Sequence, residues 1–231
     1  MLPRMRALPG SASRTSSVGT TPRLTRETVA EGQRRRIRRA TGELVAKRGY
    51  TGVRVELIVK RARVSFKTFY KHYAGKEAAF IDVFERATAA TESQVRAALE
   101  ESEREWPDRV AAALTAFFEA IIAEPLIARA CLVEGPTAGP QILEHYEKVA
   151  QAFVPIFSQG RDYNPEARAL PGTLEDTLAG AVLWSAYQRL NLSETDRIAE
   201  LIPENIELVL RPYIGEAEAS RVAARSVAAG T

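Results

Sequence analysis

The sequence predicts an all-α protein built as a small basic head on a larger helical body. Three observations carry that prediction. Apolar residues recur at three- and four-residue spacing through most of the chain, the mark of amphipathic helices. Two short helical periods, within residues 54–73, are separated by a tight break. Positive charge is concentrated around that break: residues 33–80 hold fourteen Lys and Arg against Glu43, Glu56 and Glu77, whereas residues 81–231 hold thirteen against twenty-four Asp and Glu. A chain so divided has one end suited to a polyanion and another that a polyanion would repel.

The elements follow in order. From Gln33, the side chains of Ile37, Ala40, Leu44 and Val45 share one face of a first helix, and Gly49 is its stop, just after Lys47 and Arg48. Val55, Ile58, Val59 and Ala62 give a second, short helix. Arg63-Val64-Ser65 interrupts the period, and Ser65 is suited to cap a third helix, Phe66 to Tyr73. That helix turns Phe69 and Tyr73 inward to join Tyr50 in a small core, and leaves Lys67, Thr68, Lys71 and His72 outward. Two short helices joined by a tight turn, the second bearing cations on its outer face, have the build of a helix-turn-helix with the second as recognition helix.

A fourth helix opens at Ala74-Gly75-Lys76-Glu77, presents Phe80, Val83, Phe84 and Ala87 on one face, and runs to about Arg104. At 1.5 Å per residue it would be about 40 Å long, enough to join a head to a separate body. The body continues with helices over residues 108–123, 126–133 and 142–157, the last kinked by Pro155. Residues 158–171 read as a mobile loop. Thr173 and Asp176 resemble a capping box opening a helix through Leu190, and a last helix spans about Leu201 to Tyr213. Residues 1–32, rich in Ser, Thr, Pro, Gly and Arg, read as a disordered basic tail, and residues 216–231 as a flexible one.

Composition excludes several function classes. A single cysteine, Cys131, rules out an internal disulfide framework and any multi-cysteine zinc site; it fits a small buried hydrophobe in a reducing cytoplasm. No apolar run approaches the roughly 18 residues that span a bilayer, so no membrane partner is expected. Catalysis and cofactors find no support: His72 and His145 fall in no metal-ligand spacing, there is no nucleophile elbow, and Gly75-Lys76 lacks the glycine-rich loop of a phosphate-binding turn.

Ile58-Val59, Val64-Ser65, Thr68-Phe69-Tyr70, His72-Tyr73 and Lys76-Glu77 resemble the signature of the TetR family of bacterial transcriptional repressors, over about residues 33–93. Arg63 departs from that pattern, standing where a turn glycine is usual; either the turn needs no positive φ or it accepts modest strain. Arg54 likewise stands where a Thr usually caps. The resemblance implies a DNA-binding head at 33–93 and a regulatory and dimerisation body at 94–215. It implies DNA contacts at Lys67 and Thr68 for base edges and at Tyr70, Lys71, His72 and Lys76 for the backbone, with Arg54 and Ser65 at the motif's helix starts. It also implies a homodimer formed through the final helices, for which Leu178, Val182 and Leu208 are candidates.

A small hydrophobic or aromatic ligand is expected in the body, among Phe117, Phe118, Ile121, Phe153, Phe157, Trp184 and Tyr187, with Gln188 as a further polar partner. The expected function is a sequence-specific repressor on an inverted-repeat operator of double-stranded DNA, released by that ligand. The alternative is a nucleoid-type protein that binds phosphates without sequence preference. The two differ in specificity ratio, roughly 10³ or more for a repressor.

Overall fold

The computed structural model describes residues 26–100 and 105–229. Helix α1 (Arg26–Arg48), α2 (Val55–Ala62) and α3 (Phe66–His72) form the head, and α4 (Lys76–Glu100) leads out of it. The body holds α5 (Trp106–Ala123), α6 (Pro125–Arg129), α7 (Pro140–Gln151), α8 (Val154–Ser158) and α9 (Gly160–Tyr163). It ends with α10 (Leu174–Asn191), α11 (Leu201–Ile214) and α12 (Glu216–Ala229). The described residues contain no strand.

The head's core is built as the apolar spacing predicts: Ile37, Val45, Ile58, Phe69 and Phe80 are all buried, with Tyr73 beside them. Tyr50 is only half-buried; its ring packs on Phe80 at 5.4 Å between centroids. This core does not close within the head. Ala130, Cys131, Ala138 and Ile142 of the body belong to the same buried cluster. At Gly42 a Cβ would stand 2.5 Å from Ile127 Cδ1, so the Ile127 side chain of α6 occupies the space that the missing side chain leaves on α1. After α6 the chain passes through a π-type turn at Ala130–Glu134 before the Gly135–Thr137 turn. A second core fills the body, from Val110, Leu114 and Phe118 of α5 to Leu183 of α10 and Ile206 and Tyr213 of α11.

Several sequence expectations are corrected. The first helix begins at Arg26 instead of Gln33, so residues 26–32 are helical; the part of the predicted tail at residues 1–25 lies outside the described residues. The predicted helix 142–157 is two helices. Pro155 has no N–H to offer the carbonyl of Gln151, where α7 ends, and α8 restarts with Pro155 in its first turn.

The segment 158–171 is packed, not an open loop. Arg161 donates from Nη1 to the Leu170 carbonyl at 3.0 Å, from Nη2 to that of Pro171 at 2.7 Å, and from Nε to buried Glu175 at 2.7 Å. Asn164 Nδ2 donates to the Tyr213 carbonyl at 2.6 Å. These polar staples join residues up to 49 apart, and local composition does not reveal them.

The Thr173 capping box does not form. Thr173 has no side-chain cap bond, and Asp176 instead accepts from Gln151 Nε2 at 3.0 Å. The flexible tail predicted from 216 is helix α12, reached through Gly215 at φ 78° and seated by buried Ala219, Val222 and Ala223.

Arg63 settles its own alternative: it caps α2 at φ 54°, ψ 50°, in the left-handed region, so the turn accepts a strained non-glycine residue. Arg63→Gly is expected to raise the unfolding free energy by about 1 kcal/mol by relieving that conformation. Thermal unfolding of the full chain should show a correspondingly higher midpoint; an unchanged or lower one would mean that contacts of the Arg63 side chain outweigh the strain.

Candidate functional site

The exposed surface of the head is organised by α3. Ser65 caps the helix as its sequence position predicts: its hydroxyl oxygen accepts the Thr68 N–H at 3.1 Å, and the two hydroxyls lie 2.9 Å apart. The cap fixes the helix start, and the anchoring side chain Phe69 turns the opposite face outward. Lys67, Tyr70 and Lys71 are exposed and Thr68 is half-exposed. Arg54 precedes α2 on the same exposed motif, without a side-chain cap bond.

Two other predicted contacts are already engaged. His72 is half-buried, its Nε2 2.9 Å from Gln33 Oε1; burial and then the charges of Arg34 and Lys71 hold its pKa below the ordinary histidine value. It borders a polar cleft of about 340 Å3 shared with Arg34, Arg38, Asp82 and Arg86. Lys76 donates to the Tyr50 carbonyl at 2.8 Å and lies 4.0 Å from the centre of the Tyr50 ring, and burial lowers its pKa.

Acidic groups position the basic surface. Asp82 on α4 accepts from Arg38 Nη1 at 3.1 Å and from the Tyr73 hydroxyl. Burial, with the bond to Asp82 next, pushes the Tyr73 phenol well above its ordinary range, so it stays a donor. Glu43 accepts from Arg39 Nε at 2.9 Å and Arg61 Nε at 3.0 Å, and those bonds, Arg39's first, hold its carboxyl below the usual value. Among the described residues no three His, Cys, Asp or Glu cluster as metal ligands.

The body contains a cavity of about 410 Å3 between α4, α5, α6 and α7–α8. Of the predicted lining, Phe117, Ile121 and Phe153 face it. Phe118 and Phe157 do not; they are buried in the body core. Trp184 and Tyr187 are not part of it either: Trp184 is 58% exposed and stacks on Tyr187 at 5.1 Å, and Gln188 is exposed too.

The rest of the lining comes from residues that periodicity passed over. They include Thr88, Thr91 and Val95 of α4 and Ile127, Cys131 and Leu132 in and after α6. The Ala- and Thr-rich stretch of α4 was the available signal, since small side chains leave room beside a helix. Exposed Glu92, Gln94, Arg96 and Glu124 stand at the cavity's edge. Cys131 is a buried free thiol whose pKa burial pushes up to about 12, so it remains protonated.

The predicted dimer residues separate. Leu178 and Val182 are buried in the protomer's own core, in one cluster with residues of α11. Leu208 is 45% exposed.

One side chain ties the cavity wall to the head. Arg129 ends α6, two residues after Ile127 and two before Cys131, both in the cavity wall. Its Nε donates to the Ala46 carbonyl of α1 at 3.0 Å, and its Nη1 to the Leu190 carbonyl of α10 at 2.7 Å. Nη2 lies 3.8 Å from Glu134, whose carboxylate accepts the Tyr50 N–H at 3.3 Å.

A basic helix-turn-helix on an all-helical body with a cavity between its helices is the build of a helical DNA-binding regulator. Residues 37–83 match the family model of the bacterial regulatory proteins of the tetR family. Most of the chain takes the fold of solved regulators at low identity. It is 17% identical to the fatty acid degradation regulator FadR from Bacillus halodurans, with TM-score 0.69 over 77% of this chain and 94% of that one. FadR from Bacillus subtilis, solved in complex with stearoyl-CoA, is 16% identical, with TM-score 0.66 over 77% and 98%. A tetR-family regulatory protein from Rhodococcus RHA1 is 21% identical, with TM-score 0.63 over 78% and 96%. A gamma-butyrolactone receptor, described as an ArpA-like protein, is 20% identical, with TM-score 0.66 over 86% and 98%. No curated protein matches the chain. The head thus carries the DNA-binding region of the tetR-family bacterial regulatory proteins, and the chain shares its fold with the solved regulators.

The Arg129 geometry generates a prediction. Arg129→Ala removes two charged-donor hydrogen bonds and is expected to cost about 2 kcal/mol of stability in urea unfolding. Arg129→Lys keeps the charge but not the fork, and should recover no more than half of that. Hydrogen exchange should quicken at the ends of both α1 and α10. Exchange confined to α6 would show that Arg129 does not join head and body.

Proposed function

We propose that the chain is a homodimeric, sequence-specific repressor that binds an inverted-repeat operator and is released by a small hydrophobic ligand in the body cavity. The observation that carries the reading is the capped helix α3, with its core-facing side anchored by Phe69 and its exposed side bearing Lys67, Thr68, Tyr70 and Lys71. Lys67 and Thr68 lie nearest its N-terminus, the end that meets base edges. Tyr70, Lys71 and His72 serve the backbone, and Arg54 and Ser65 flank them at the motif's helix starts. Lys76 joins them with the hydrogens not given to Tyr50. A nucleoid-type protein would use the same cations without discrimination, so the specificity ratio decides between the readings.

Dimerisation is supported by what α10 and α11 leave uncovered. Trp184 and Leu208 are large apolar side chains in water, on the two helices that the resemblance assigns to the interface. These replace Leu178 and Val182 as the residues available to a partner. Two heads related by a twofold axis meet the major groove about one helical turn apart, which calls for a palindromic site.

In the test, operators selected from random DNA by the full chain should be inverted repeats, favoured roughly 10³-fold or more over bulk sequence. Lys67→Ala should relax base preference at one position of each half-site. Enrichment of no sequence, or of an asymmetric one, would refute the repressor reading.

The cavity supports a ligand switch. Its apolar wall and its polar edge at Gln94 and Arg96 suit an amphiphilic molecule. Fatty acyl thioesters and lactones come first among candidates, from the stearoyl-CoA of the Bacillus subtilis FadR and the butyrolactone receptor. The ligand acts only through a differential affinity for the DNA-free state; about 1 to 3 kcal/mol would weaken operator binding roughly 5- to 150-fold. Ile121→Trp narrows the cavity and should impair release by any such compound while operator affinity stays within about twofold. A compound that binds equally tightly with and without operator is not the effector.

A further inference from the structure

Phe66 is the first residue of α3 and has no place in the head's core, which Phe69 of that helix and Tyr73 just after it supply. It is 50% exposed, and Tyr70, one turn further along the same side, is 56% exposed. Tyr70 sets its ring edge-on to Phe69 at 5.3 Å, whereas Phe66 makes no aromatic contact among the described residues and is exposed with its chain neighbours Arg63 and Lys67. A phenyl ring held in water among cations gains nothing for the isolated chain.

Its position gives it a partner. The first residues of a recognition helix are those that approach base edges, and the cations around Phe66 bring that end of the helix to a polyanion. Lys67 and Thr68 address hydrogen-bonding groups, whereas the apolar feature of the major-groove edge is the C5-methyl of a pyrimidine. We propose that Phe66 reads such a methyl group, adding an apolar specificity contact to the polar ones of its neighbours. The inference rests on the DNA-binding reading above.

The same chemistry is offered by thymine and by 5-methylcytosine, and base substitution separates them. On the operator selected by the full chain, each thymine is replaced singly by deoxyuridine and each cytosine by 5-methylcytosine. Affinities are measured for the wild type, Phe66→Ala and Phe66→Leu.

Loss of one buried methyl should weaken wild-type binding about fourfold at one thymine of each half-site. Phe66→Ala should be indifferent to deoxyuridine at that position, and Phe66→Leu should keep part of the dependence. If the methyl belongs to cytosine, 5-methylcytosine tightens the wild type about fourfold at one position and leaves Phe66→Ala unchanged.

Phe66→Leu retains an apolar residue on the capped turn, so it carries the comparison even if the alanine variant unfolds. Identical responses of wild type and both variants at every base would overturn the role of Phe66 while leaving the operator reading intact. A chain that enriches no operator fails at that earlier reading, and the Phe66 contact fails with it.

Discussion

A three-helix head buries little apolar surface by itself, and this chain closes the head's core with residues of the body. Ala130, Cys131, Ala138 and Ile142 sit in one cluster with Ile37, Ile58 and Phe69. Ile127 of α6 packs into the space beside Gly42 of α1. A head packed in this way cannot shift against the body without exposing apolar surface, so its orientation is tied to the position of α6. The wall of the cavity is therefore also the floor of the head.

The polar contacts reinforce that tie and shape the charge. Arg129 satisfies one carbonyl in the head and one in the body, and Glu134 reaches back to the Tyr50 N–H. Elsewhere two acids are used internally: Glu43 orients Arg39 and Arg61, and Asp82 of α4 orients Arg38 and Tyr73. Lys67 and Lys71 remain unpaired among the described residues, and they lie on the exposed side of α3. The arrangement leaves the cations of α3 available while Arg38 and Arg39 of α1 are held in place.

The motif was legible because its determinants are local. Ser65 caps the Thr68 N–H, Gly49 stops α1 at φ 73°, and Phe69 alternates inward from Lys67 and Thr68, each within a turn or two of chain. The cavity was half legible. Phe117, Ile121 and Phe153 are large and apolar at helical spacing, and they face the space; Phe118 and Phe157 have the same chemistry but are packed core. Periodicity marks the face that avoids water and does not distinguish a void from a neighbour.

The sequence by itself determined the helix-turn-helix, its cap, its outward cations and the division of the chain into a basic head and an acidic body, because capping, helical period and charge act over a few residues. Only the tertiary structure decided which apolar faces meet. It buried Leu178 and Val182 within the protomer and left Trp184 and Leu208 in water; it turned the segment 158–171 into a packed element through Arg161 and Asn164; and it seated α12 on the body. Those outcomes depend on contacts between residues tens of positions apart, and a one-dimensional pattern of polar and apolar residues holds no record of which distant side chain fills which gap.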